Sequence, residues 1–200
     1  SLSAGMPGYS IRFANIADRL YRNTETPTEV LYALAIAHQS AAEVILRKPI
    51  SEVRTLLGLD PSTRAEVQRH LISSATNFNM HAERHVVSNL ATYASSLWSS
   101  ADLFDRAGDQ PEAILAFKTY SESMPSDPKN AEAQFRLAES LRALGDFKTA
   151  ADVYNALALE IICLEQGRDY VGKQIQRCIP AFVIVVTRPL VVKVLNRFII

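Results

Sequence analysis

Gly108-Asp109-Gln110-Pro111-Glu112-Ala113-Ile114-Leu115-Ala116-Phe117 returns 37 residues later as Gly145-Asp146-Phe147-Lys148-Thr149-Ala150-Ala151-Asp152-Val153-Tyr154. Gly, Asp, Ala and an aromatic fall at matching places. A period of this size marks a supersecondary unit that buries its apolar face by stacking on a neighbour. Gly108 and Gly145 stand where a helix ends in a left-handed residue, which only glycine adopts cheaply. The pattern predicts helices over 94–107 and 111–123, a connection over 124–130 broken by Pro125 and Pro128, and helices over 131–143 and 147–159.

Working outward, Ile11, Phe13, Ile16 and Leu20 give an apolar helix stripe over 10–22. Thr26-Pro27-Thr28-Glu29 reads as a helix start, with Thr26 as cap, Pro27 at the first helical position and Glu29 reaching back. The Ala- and Leu-rich segment 30–47 follows and should end before Pro49. A short helix is expected over 51–57, stopped by Gly58. Another starts at Asp60-Pro61 and carries Val67, Leu71, Ile72 and Ala75 on one side. Residues 76–79 read as a polar turn, with a continued helix the alternative, and 80–92 as helical again. Beyond Gly167 the pattern decays. Residues 169–178 resemble a helix start, and 182–186 and 190–194 have strand propensity. The expected division is an N-terminal helical region (1–93), two repeats (94–164), and a partial repeat or atypical tail (165–200).

Twenty-one basic and 21 acidic residues leave a formal charge of zero. No basic run supplies the electrostatic footprint of a nucleic-acid binder. Residues 1–30 lack the charged start and apolar run of a signal peptide. The longest apolar run, 179–187, is interrupted by Pro180 and falls short of the roughly 20 residues a membrane span needs. Cys163 and Cys178 form no C-x-x-C and are too few for a disulfide scaffold. The chain starts at Ser1 and closes on Arg197-Phe198-Ile199-Ile200. A solenoid normally ends in a polar capping repeat, so this close predicts a piece of a longer protein.

The two units resemble the tetratricopeptide repeat, whose pattern is W-x2-L-G-x2-Y, A-x3-F and P. The first unit gives Leu97-x2-Ser100-Ala101-x2-Phe104, then Ala113-x3-Phe117, then Pro125. The second gives Gln134-x2-Leu137-Ala138-x2-Leu141, then Ala150-x3-Tyr154, with Ile162 at the place of the proline. The resemblance covers about 65 residues, and its period exceeds the family's ~34. It implies an all-α, helical-hairpin (TPR-like) solenoid with a frayed or truncated C-terminal segment. Ala101, Ala113, Ala138 and Ala150 would be small where helices cross, with Phe104, Phe117, Leu141 and Tyr154 beside them.

The resemblance also implies a concave groove lined by the first helix of each unit. Carried over by position, that groove holds Ser95, Trp98, Asp102 and Arg106, then Glu132, Phe135, Glu139 and Arg142. Trp98, Asp102, Arg106, Phe135, Glu139 and Arg142 are the candidate partner-binding residues, since tryptophan and arginine are common interface anchors. Repeats that grip acidic peptide tails have Lys and Asn at these places. Trp98 and Asp102 stand there instead, which argues against that specificity.

His81 and His85 lie one helical turn apart on one face. Ala82 replaces the Glu of H-E-x-x-H, so they read as a solvated or core-edge pair rather than a zinc site. His38 and His70 are single histidines without a signal. Phosphate-loop, dinucleotide and nucleophile-elbow motifs are absent, so neither a catalytic residue nor a cofactor is expected. The expected function is a protein–protein interaction module or scaffold binding a partner peptide or helix. The alternatives are a homo-oligomerising structural element of a bacterial envelope-assembly protein, or the regulatory repeats of an enzyme whose catalytic domain lies elsewhere.

Overall fold

The computed structural model describes residues 26–165 except position 54, with Arg12, Ile16, Arg19 and Leu20 before them, and side chains as far as 159. Among the described residues the chain is all-α, as expected, without a strand. Its helices are α1 (Thr28–Leu46), α2 (Pro61–His85), α3 (Leu90–Ala107), α4 (Gln110–Ser123), α5 (Asn130–Leu144) and α6 (Phe147–Glu165), with a 3-10 turn at Ile50–Glu52. Helices α1 to α5 pack each against the next in chain order. Residues up to Ala150 belong to one compact unit, and the described part of the second is the remainder of α6. The expected elements over 169–178, 182–186 and 190–194, the apolar run 179–187, and most of 10–22 lie outside the described residues, as does Cys178.

The two repeat glycines close their helices identically. Gly108 has φ 77° and Gly145 φ 90°. The Gly108 N–H donates to Asp105 O and the Asp109 N–H to Phe104 O; Gly145 donates to Arg142 O and Asp146 to Leu141 O. These paired bonds satisfy carbonyls that the helix end leaves open. Asp146 then starts α6 by accepting from the Thr149 N–H. That bond, from Thr149 side chain and backbone, lowers the Asp146 carboxyl below its ordinary value. A third closure of the same type ends α1, with Arg47 at φ 54°.

Small residues mark the helix crossings. Ala101, Ala113 and Ala138 are fully buried, and Ala150 nearly so. The N-terminal helices use the same device. The buried Ser74 hydroxyl of α2 donates to the Ala35 carbonyl of α1 at 2.6 Å, and the Ser100 hydroxyl of α3 donates to the Ala75 carbonyl of α2 at 2.9 Å. Such bonds need backbones in close approach, which alanine and serine permit.

Four local expectations are corrected. Pro27, not Thr26, is the residue before the first helical position of α1, and it makes no side-chain cap. Residues 76–79 do not turn: α2 runs through them. Thr76 and Asn77 bond back to the carbonyls of Ile72 and Ser73, and Phe78 is buried. Polar side chains that bond within their own turn leave the helix intact, and the burial of Phe78 favours continuation. The break falls instead within the expected helix 80–92, after His85, where Asn89 caps α3 by accepting from the Thr92 N–H. Finally, the described residues of 51–57 form no helix beyond the single 3-10 turn. Ile50, Val53 and Leu56 are buried, and the Ile50 and Val53 carbonyls accept from Arg106 Nη1 at 3.0 and 2.6 Å. A side chain from α3 thus takes the carbonyls that a helix would have used. The Asp60 start is as expected: its carboxylate accepts from the Ser62 hydroxyl at 2.6 Å and from the Ser62 and Thr63 N–H groups, and the side-chain bonds of Ser62 and Thr63, then the Thr63 N–H, hold it well below the usual carboxylate range.

Candidate interaction site

Helix α3 presents two unlike faces. Trp98, Asp102 and Arg106 are spaced by four and share one of them; Tyr93, Leu97 and Phe104 share another. At about 100° per residue the two stripes lie roughly 160° apart.

The first face is polar and internally bonded. Asp102 accepts from Arg106 Nε at 2.8 Å and from Arg136 Nη1 at 2.5 Å. Arg136 also reaches Asp105 through Nη2 at 2.5 Å and Nε at 3.2 Å, and its guanidinium lies 5.0 Å from the centre of the Phe117 ring. One arginine therefore ties α5 to α3 and stacks on α4. Burial pushes the Asp102 carboxyl up, but the Arg106 hydrogen bond and the Arg136 charge outweigh it and hold the group below its ordinary value. Burial likewise disfavours the Arg136 cation, and the two aspartates more than restore it.

Asp102 and Arg106 are thus placed together, bonded to each other and to the fold. Trp98 is half-buried, edge-on to Phe117 and Tyr120 with centroids 6.0 and 5.3 Å away. Lys129 Nζ lies 4.7 Å from its ring centre. Tyr120 is buried, and that burial, with Asp127 nearby, raises its hydroxyl above the ordinary tyrosine range. Phe135 is half-buried, and Glu139 pairs with Arg142 at 2.7 Å at the surface. Ser95 and Glu132 are exposed.

The second face opens into a groove of about 170 Å³. Tyr93, Leu97 and Phe104 form its floor; Asn79, Ala82 and Glu83 of α2 and Glu112, Leu115, Ala116 and Thr119 of α4 form its walls. Leu115 is 59% exposed and Met80, beside Asn79 in the chain, is 40% exposed. Two glutamates and no cation line the groove. The repeat resemblance implies the other face of α3. The i, i+4 and i+11 spacing of Tyr93, Leu97 and Phe104 was visible, but it reads equally as core.

Histidines gather at the N-terminal helices. His81 and His85 are in contact, their rings tilted by 59° with centres 4.6 Å apart. His81 Nδ1 bonds Ser96 Oγ at 2.9 Å, and His85 Nδ1 lies 3.3 Å from Ser88 Oγ. Burial, then the charge of His85, lower the His81 pKa against the opposing effect of Glu29. Among the described residues there is no cluster of three metal-ligating groups. His38 and His70, single in sequence, meet in space: both are buried, with Nδ1 atoms 2.9 Å apart. Among the described residues α1 is the one helix long and apolar enough to cross a membrane; its buried side packs on α2, as the same composition does in a core helix.

No known protein family, curated protein or solved structure matches this chain. The likeness to the tetratricopeptide repeat draws no support from them.

Proposed function

We propose that this chain is an interaction module that takes an amphipathic helix of a partner protein, with apolar anchors seated between α2 and α4 over α3. The observation that carries this reading is the open groove floored by Tyr93, Leu97 and Phe104. Its volume, about 170 Å³, is below the roughly 300–1,000 Å³ of small-molecule sites and suits single anchoring side chains. Its lining is largely apolar, as helix-in-groove recognition requires. Glu83 and Glu112 at the walls call for lysine or arginine flanking the anchors on the partner. The matching glycine closures 37 residues apart support reading the helices as stacked, tetratricopeptide-like hairpins, a design suited to binding surfaces.

The test uses labelled 16-residue helical peptides with leucines at i, i+3 and i+7, flanked by lysine or by glutamate. Fluorescence anisotropy should show saturable binding of the lysine-flanked peptide only. Leu115→Arg, at an exposed position, should abolish it, and Glu112→Lys should weaken it severalfold. Trp98→Ala and Arg142→Ala, on the other surface, should leave it within twofold. Equal binding of both peptides, or indifference to Leu115→Arg, would refute the reading. Loss on Trp98→Ala alone would move the site to the face that the repeat resemblance implies.

A further inference from the structure

The groove between α2 and α4 calls for apolar anchors on one helix face with basic residues beside them. The chain carries such a segment itself. Within residues 10–22, Phe13, Ile16 and Leu20 have the i, i+3 and i+7 spacing of a helix laid in a groove. The same thirteen residues hold Arg12, Arg19 and Arg22 against one acid, Asp18. Among the described residues, Arg12, Ile16, Arg19 and Leu20 are helical. Residues three or four apart are neighbours on a helix, so Ile16 and Leu20 form one apolar patch with Arg12 and Arg19 next to Ile16. That patch is open: Ile16 is 56% and Leu20 67% exposed.

We propose that residues 10–22 dock into the groove of their own molecule and compete there with a partner helix. The inference rests on reading the groove as a helix-binding site. Charge complementarity selects this occupant: Glu83 and Glu112 on the two walls are exposed, and no cation lines the groove, while the segment has three arginines to one aspartate. Reach selects the same molecule. The Tyr32 ring, near the start of α1, is centred 5.7 Å from that of Phe78 and 5.3 Å from that of His81. Helix α1 therefore begins beside the stretch of α2 that supplies Asn79, Ala82 and Glu83 to the groove wall. The five residues 23–27 span up to about 17 Å when extended, more than the ~10–12 Å across one helix. They are long enough to carry the segment over α2.

The tether makes a modest contact effective. A segment on a short linker has an effective concentration on the order of millimolar, so it fills the groove until a partner helix offers a tighter fit. In the arrangement described, Ile16 and Leu20 are open and so is the groove, which is the released state of this contact.

The test titrates the labelled lysine-flanked leucine peptide into the whole chain and into its Ile16→Ser/Leu20→Ser variant, which changes two exposed positions and no charge. The variant should bind the peptide about tenfold more tightly, the factor for a groove otherwise filled about nine-tenths of the time. Adding Leu115→Arg to the variant should abolish that binding. Equal or weaker binding by the variant overturns the inference and leaves the groove reading in place. Absence of binding to either chain overturns both. Light scattering should give the monomer mass for wild type and variant alike. A wild-type dimer that the serine pair dissolves puts the segment in a second copy and overturns the contact within one molecule.

Discussion

Two seams of this molecule are closed by different chemistry. Between α1 and α2 the polar contacts include two histidine Nδ1 atoms 2.9 Å apart and a serine hydroxyl on a carbonyl, set among alanines and leucines. Between α3 and α5 the contact is a guanidinium held by two carboxylates over an aromatic ring. The second kind fails when an acid gains a proton, because the Asp102 carboxylate that holds the guanidinium is then neutral.

The largest effect that would break this contrast comes from Arg136. Its replacement by methionine leaves Asp102 and Asp105 partly buried without their shared partner, at a cost of about 2–4 kcal/mol, readable as a lower urea midpoint at pH 7. The Asp102 carboxyl is held below its ordinary value when folded, so its contribution is present above the unfolded value, about pH 3.9, and is lost as pH falls through the folded one. The gap between wild type and Arg136→Met should accordingly hold from pH 7 to 5 and shrink towards pH 2. A gap that closed already at pH 5 would place the sensitive group elsewhere.

A smaller effect sharpens the other seam. Ser74→Ala removes the 2.6 Å bond to the Ala35 carbonyl and should cost about 1–2 kcal/mol, with exchange of α1 accelerated more than that of α5. The smallest expected change is a gain. Arg47 ends α1 in the left-handed conformation that Gly108 and Gly145 adopt elsewhere, so Arg47→Gly should stabilise by about 1 kcal/mol, seen as a raised Tm. No gain, or a loss, would mean that the exposed Arg47 side chain contributes more than its backbone strain.

The sequence was legible where causes are local. Gly108, Gly145, Asp60-Pro61 and the Pro125–Pro128 break each act within a few residues, and each boundary they mark is where the sequence put it. Position 51–57 failed because the competitor for its carbonyls, Arg106, is some fifty residues away. Thr76–Asn79 failed because Phe78 supplies burial that a polar run hides. The surroundings of the candidate site were hidden for the same reason. Asp102 and Arg106 look like surface charges until Arg136, on another helix, is brought beside them. His38 and His70 are 32 positions apart, and only the packing of α1 on α2 joins them.

Trp98 is the chain's only tryptophan, and its ring contacts come from α4 and from Lys129 in the connection to α5. Its emission is therefore an optical gauge of one half of the molecule. A shift in wavelength follows loosening around α4, while release of α1 leaves the spectrum still. The molecule carries its own internal standard for telling partial from global opening.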